Sequence, residues 1–221
     1  MEENNKINTE DLKKETKETV NKVKETIKNV DFKEDTKATK GFLKEMFSNP
    51  FEEIKKVANG KENVFSKAIV LMIIFIAANV LAEIVSLIKY GKYSSFGNNF
   101  MDLISSFLNP IFYIAVPAVI IYLFNKTNKK PLTTIISTLV VCSVPVILNN
   151  VIDVIEVLIS GISIISSPIS TMFSAVATFL TYFGIKDIFE VEEHNTFIRK
   201  YAVIRLIGAF ILLILSRIGI Y

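Results

Sequence analysis

Cysteine and histidine are almost missing from this chain of 221 residues, with Cys142 and His194 the single example of each. One cysteine excludes an intramolecular disulfide. The same scarcity weighs against a zinc site built on histidine and cysteine and against a Ser-His-Asp triad, although carboxylates remain able to hold a cation. Cys142 sits inside an apolar run and reads as a small core residue. His194 sits in Glu192-Glu193-His194-Asn195 and reads as an exposed loop residue. An excess of one charge is also lacking, since 25 basic residues against 22 acidic leave a net +3. That balance excludes a strongly basic nucleic-acid binder. No apolar stretch occupies the first 30 residues, where a secretory signal would place its core, and neither end carries a lipidation motif. The first long apolar run, near Val64, is therefore expected to be an uncleaved membrane anchor.

What the chain does have is unevenly spread. Residues 1–62 hold 17 apolar residues with 14 lysines and 14 acids, whereas residues 63–221 hold 95 apolar residues and the whole net charge. This divides the chain into a charged cytoplasmic arm (1–62) and a membrane domain (63–221). Five apolar stretches approach the roughly 20 residues that cross about 30 Å of hydrocarbon. They cover about 65–88, 103–124, 132–159, 169–185 and 201–218. Backbone groups in lipid must bond within their own segment, and the period-2 alternation of a membrane barrel is absent, so each is read as a helix. The expected fold is all-α: a polytopic five-helix transmembrane bundle preceded by a charged helical arm. Pro110, Pro117 and Pro145 fall inside the second and third helices, where each removes a backbone hydrogen bond and favours a kink. Ser170, Ser174 and Thr178, and likewise Ala78 and Ala82, recur every four residues and read as small-residue packing faces.

Loop charges orient the bundle. With five crossings, thirteen Lys and Arg flank one side (Lys37 to Lys67, Lys126 to Lys130, Lys186 to Lys200) and three the other (Lys89, Lys92, Arg217). Basic loops stay in the cytoplasm, which puts the N-terminus inside and the C-terminus outside the cell membrane. Tyr122, Tyr182 and Tyr201 then fall at inner ends, and Tyr90, Tyr93 and Tyr221 at outer ends.

The polar residues within the membrane half are few. Asn149, Asp153, Glu156 and Ser160 share one helix face, and Glu83 and Asp102 lie towards outer helix ends. Together they read either as carboxylates able to bind a cation or relay protons, or as the wet end of the third helix. Arg205 lies one turn inside the inner interface, placed to snorkel to headgroups or to pair with a carboxylate.

In the arm, Leu12, Thr16, Val20, Val23, Ile27 and Val30 form a narrow seam with a seven-residue repeat, the pattern of a short coiled coil or of a solvated helix. Residues 42–58 carry a broader face of Phe42, Leu43, Met46, Phe47, Phe51, Ile54 and Val57. Asn49 and Pro50 start a new helix there and Gly60 ends it. Two short amphipathic helices are expected, lying on the inner leaflet or packed beneath the bundle.

Ser48-Asn49-Pro50-Phe51 before the first membrane helix, Ser143-Val144-Pro145 in the third and Tyr182-Phe183-Gly184-Ile185-Lys186 ending the fourth stand in an order and spacing that resembles the Yip domain family (Ypt/Rab-interacting proteins) in its prokaryotic form. The resemblance covers about residues 42–221 and implies an integral membrane protein with its N-terminus inside. Eukaryotic members are tied to Rab-type GTPases and carry Asp-Leu-Tyr-Gly-Pro before the membrane domain. This chain has no such motif, so no GTPase-contacting residue carries over.

These features favour a non-enzymatic membrane scaffold or partner-binding protein with no cofactor and no nucleic acid. Its partners would be the bilayer and, through the N-terminal helix, another protein or a second copy. The alternative is a small-solute or ion-coupled transporter using Glu83, Asp153 and Glu156. A membrane-embedded enzyme is the third reading, weakened by the lone histidine. The orientation is checked by a reporter fused after Tyr221, which is expected to be active only in its extracytoplasmic form; cytoplasmic activity would contradict the charge asymmetry.

Overall fold

The computed structural model describes residues 9–29, 31–60, 64–90, 96–125, 130–159, 163–190 and 193–217. Among these residues there are nine helices and no strand: α1 (Thr9–Asn29), α2 (Phe32–Ser48), α3 (Pro50–Ala58), α4 (Phe65–Tyr90), α5 (Phe96–Phe124), α6 (Leu132–Cys142), α7 (Val144–Ile159), α8 (Ser163–Phe189) and α9 (His194–Arg217). Val30 of the expected seam, Ser160 of the polar face and Ile218 of the last apolar stretch lie outside the described residues.

The helix ends follow from local chemistry. Asp31 caps α2, its carboxylate accepting from the Lys33 and Glu34 N–H groups at 2.9 and 3.2 Å. Asn49 joins α2 to α3 through its backbone, donating to Glu45 O and accepting from Glu53 N–H, while its side chain makes no capping bond. Pro50 occupies the first position of α3, where no donor is required. Gly60 closes the segment at φ +64, in the left-handed region.

Three helices are long and apolar enough to cross a membrane, over Phe65–Ile88, Asn99–Phe124 and Pro168–Phe189. A fourth span is available if α6 and α7 are taken together, although they meet at a bend of 50°. The continuous helix expected over 132–159 is thus broken at Ser143. Pro145 is the reason: it has no N–H for the Val141 carbonyl, and its ring obstructs a continuous helix. The chain turns instead. The Ser143 hydroxyl donates back to Leu139 O at 2.7 Å, and the Ser143 carbonyl accepts from Ile147 N–H to restart α7. Pro110 and Pro117 do not break α5. α9 fails the same test, because every 18-residue window within it carries at least three of Arg199, Lys200, Arg205 and Arg217.

Helices α2 and α3 pack against the membrane helices. Phe42, Met46, Ile54, Val57 and Ala58 are buried in the same core as Leu71, Ile121, Leu139 and Ile188. Of the broad apolar face on residues 42–58, only Phe47 and Phe51 remain outside. Phe51 still touches the bundle, its ring lying edge-on to Phe183 at 4.9 Å and to Phe179 at 5.8 Å. α1 docks on α4 and α6, burying Thr19 and setting the Lys22 ammonium over the Phe65 ring at 5.3 Å. The expected seam divides there: Leu12 and Val23 are half-buried, whereas Thr16, Val20 and Ile27 are exposed.

The tightest junction is at Gly184 on α8. A Cβ there would stand 2.7 Å from Cys142 Sγ, 3.0 Å from Thr138 Cγ2 and 3.3 Å from Ile54 Cγ2. Three helices, α3, α6 and α8, therefore close on one missing methyl group. Cys142, fully buried, reinforces the contact by donating its thiol to Leu180 O at 3.3 Å. The expected stripe of Ser170, Ser174 and Thr178 is not the packing face of α8. Ser174 and Thr178 are exposed, and Ala177, Leu180, Ile185 and Ile188 are buried in their place. Thr178 satisfies its hydroxyl on its own helix, donating to Ser174 O at 2.8 Å, and so tolerates an outward position. Ala78 on α4 is buried as expected.

Gly184→Ala is expected to lower stability by about 1–3 kcal/mol through overpacking, read as a reduced thermal unfolding midpoint of the purified protein. Adding Cys142→Ala removes the nearest obstructing atom and is expected to recover part of the loss. A neutral Gly184→Ala would show that the helices are not close-packed at this point.

Candidate functional site

The five polar residues singled out within the membrane half sit on three helices. Asn149 on α7 is buried, and its amide donates to Asp153 Oδ2 one turn later at 2.9 Å. Glu156 follows on the same face and is the acidic neighbour of Asp153. Glu83, on α4, has a different acidic neighbour, Asp102 on α5. Arg205 stands on α9, exposed, with no ion pair among the described residues. Of the two roles open to Arg205 in the sequence, pairing with a carboxylate is therefore not realised there. Among the described residues no three His, Cys, Asp or Glu side chains converge as a metal-binding group. The α7 face is an amide–carboxylate pair, a hydrogen bond that keeps one buried amide and one carboxylate oxygen satisfied within a single helix.

The sequence reading did not find the two features that shape the other end of the bundle, where α1 to α3 pack. The first is an aromatic cluster joining α8 to α9. Tyr182 lies 5.1 Å from both Phe197 and Tyr201 and 5.5 Å from Phe183. Tyr182 Oη comes within 3.5 Å of Nδ1 of the exposed His194. Tyrosines at helix ends were legible as interface residues, but their convergence depends on how two helices cross. The second is an ion pair, Lys130 Nζ to Glu190 Oε1 at 2.6 Å, which ties the start of α6 to the end of α8; the same ammonium reaches Asn59 Oδ1 at 3.4 Å, beyond the end of α3. Glu190 itself takes φ +50, the left-handed turn that ends α8.

A cavity of about 580 Å³ opens between α5, α6, α8 and α9. Its walls are mainly apolar, from Leu139, Ile185 and Leu212 among others, with Tyr113, Thr181 and Arg205 adding polar groups. It exists because α9 rests on α5 and meets α8 chiefly through the aromatic cluster at one end. Asp153, Glu156 and Glu83 are not among its lining residues.

Among the described residues the structure is all-helical, and three or four candidate spans with few charged residues fit a multi-pass membrane protein. The family model of the Yip1 domain matches residues 44–217. The chain belongs to the Yip domain family, and its three sequence markers (Asn49-Pro50-Phe51, Ser143-Val144-Pro145 and Gly184) lie in segments that adjoin in space around the Gly184 junction. No curated protein and no solved structure gave a significant match.

The Asn149–Asp153 bond is open to a direct test. Asn149→Ala is expected to cost about 0.6 kcal/mol and no more than about 1.7, the average and the maximum measured for side-chain hydrogen bonds between membrane helices. Asp153→Asn, which keeps an acceptor oxygen, is expected to cost less. Equal losses in chemical denaturation would mean that the carboxylate charge itself holds the site.

Proposed function

We propose that this protein is a non-enzymatic scaffold of the cell membrane that presents its N-terminal helix to a protein partner or to a second copy of itself. One observation carries the reading. α1 turns Thr19, Val23 and Thr26 towards the bundle and leaves Val20 and Ile27, seven residues apart on one face, 45% and 51% exposed. A charged helix seldom leaves β-branched residues aligned and uncovered unless something covers them. The docking of α1 on α4 and α6, with Lys22 over Phe65, holds that stripe against the bundle rather than at the end of a free tether. The family match begins at residue 44, so this helix lies ahead of the shared domain and is suited to a role particular to this chain.

The same proposal includes five crossings, with α9 as the fifth, the N-terminus in the cytoplasm and the C-terminus outside. Two facts support a spanning α9: Ile204 and Gly208 are buried against the bundle, and Leu206, Phe210, Leu213 and Ile214 face outward, as lipid-facing residues do. The loop charges support the orientation. A carrier has less behind it, because the carboxylates of α7 and α4 lie outside the large cavity.

A photoreactive residue in place of Val20 or Ile27, in the full chain in cells, is expected to give one discrete crosslinked product. The same residue at Lys17 is expected to give little. A chain lacking residues 1–40 should still insert and fold while losing the partner recovered with it. Equal labelling at all three positions would contradict a dedicated face on α1.

A further inference from the structure

The cavity between α5, α6, α8 and α9 has a chemistry of its own. Along α9, Ala202, Arg205, Ala209 and Leu212 line it at spacings of three and four, so they form one face. That face carries a single charge near one end and only apolar side chains beyond it. The guanidinium cannot shed its charge, and no acidic residue is among those lining the cavity. The neighbouring hydroxyls are already engaged as donors: Ser143 Oγ donates to Leu139 O and Thr181 Oγ1 to Ala177 O, each at 2.7 Å. One turn before Arg205, Tyr201 Oη is buried and has no partner among the described residues. On the cavity wall the charged group is thus a donor, the Arg205 guanidinium, and what it lacks is an acceptor with negative charge.

Volume and access agree with a ligand. About 580 Å³ falls within the range of small-molecule sites. The small residues Ala202, Gly208 and Ala209 keep the α9 wall low, and Ala202, Arg205 and Ala209 are exposed, so the cavity is open on the α9 side. An ion alone would leave the apolar length of the cavity unfilled, and a hydrocarbon alone would leave the guanidinium unpaired.

We propose that this cavity binds one anionic amphiphile, with its oxyanion head on Arg205 and its acyl chain laid along Ala209 and Leu212 against Leu139. Phosphate and carboxylate heads share this chemistry, so the occupant is either a bilayer phospholipid or a free fatty acid. The site does not depend on the scaffold role of α1, which lies elsewhere on the molecule.

The test uses the full chain in a neutral detergent, titrated separately with dioleoyl-phosphatidylglycerol, oleate and dioleoylglycerol. Adducts are read by native mass spectrometry, and the unfolding midpoint is recorded alongside. A one-to-one adduct with phosphatidylglycerol, or with oleate, supports the proposal and distinguishes the two sources. Arg205→Gln is expected to weaken the adduct at least tenfold, Arg205→Lys to retain most of it, and Arg217→Gln to leave it unchanged. Ala209→Phe, which fills the apolar length and keeps Arg205, is expected to abolish it. Equal binding of dioleoylglycerol, which has no oxyanion, or undiminished binding by Arg205→Gln, would overturn the assignment.

Discussion

The seating of α3 between α6 and α8 depends on the absence of a side chain at Gly184. The position lets α8 approach Cys142 and Thr138 of α6 and Ile54 of α3 to distances that a methyl group would forbid. Dispersion between packed helices falls steeply with separation, and in lipid it is not supplemented by a hydrophobic drive. Close approach is therefore the main source of helix association available to this bundle. With α3 fixed against α6 and α8, the backbone joint at Asn49 carries α2 onto α4, and the Lys130–Glu190 pair holds the adjoining loop ends. Helices α2 and α3 become part of the core of the apolar bundle rather than a layer lying beneath it.

The same junction explains why the helices open elsewhere. α6 reaches Gly184 just before its break at Ser143, and the 50° bend redirects α7 towards α4 and α8. α9, which has no comparable contact with α8, is secured to it by the aromatic cluster and otherwise leans on α5. The gap left between them is the cavity that contains Arg205. Tight packing on one side and an open space on the other are thus two results of one arrangement of helices.

Much of the fold was legible in the residues. Apolar run length located α4, α5 and α8, Pro50 and Gly60 bounded α3, and the order of short motifs identified the family now shown by the match over residues 44–217. Pro145 signalled a distortion but not a complete break, because proline in a membrane helix is often accommodated, as Pro110 and Pro117 are within α5. The packing face of α8 was misread for a deeper reason. In lipid both faces of a helix are apolar, so periodicity does not separate the face that meets protein from the face that meets solvent, and Ser174 and Thr178 turned out to face outward. The polar residues were likewise visible one helix at a time. That Asn149 meets Asp153 follows from their spacing, whereas the place of Arg205 on the wall of a cavity depends on which helices cross, which no single-helix pattern contains.

The central claim is that α3 is an integral part of the membrane core. Hydrogen exchange on the full chain in lipid nanodiscs measures this directly. Amides of Ile54 to Ala58 are expected to exchange as slowly as those of α6 and of α8 around Gly184, and far more slowly than those of α1. Rapid exchange of α3 beside a protected α6 and α8 would contradict the claim and return α3 to the surface of the membrane.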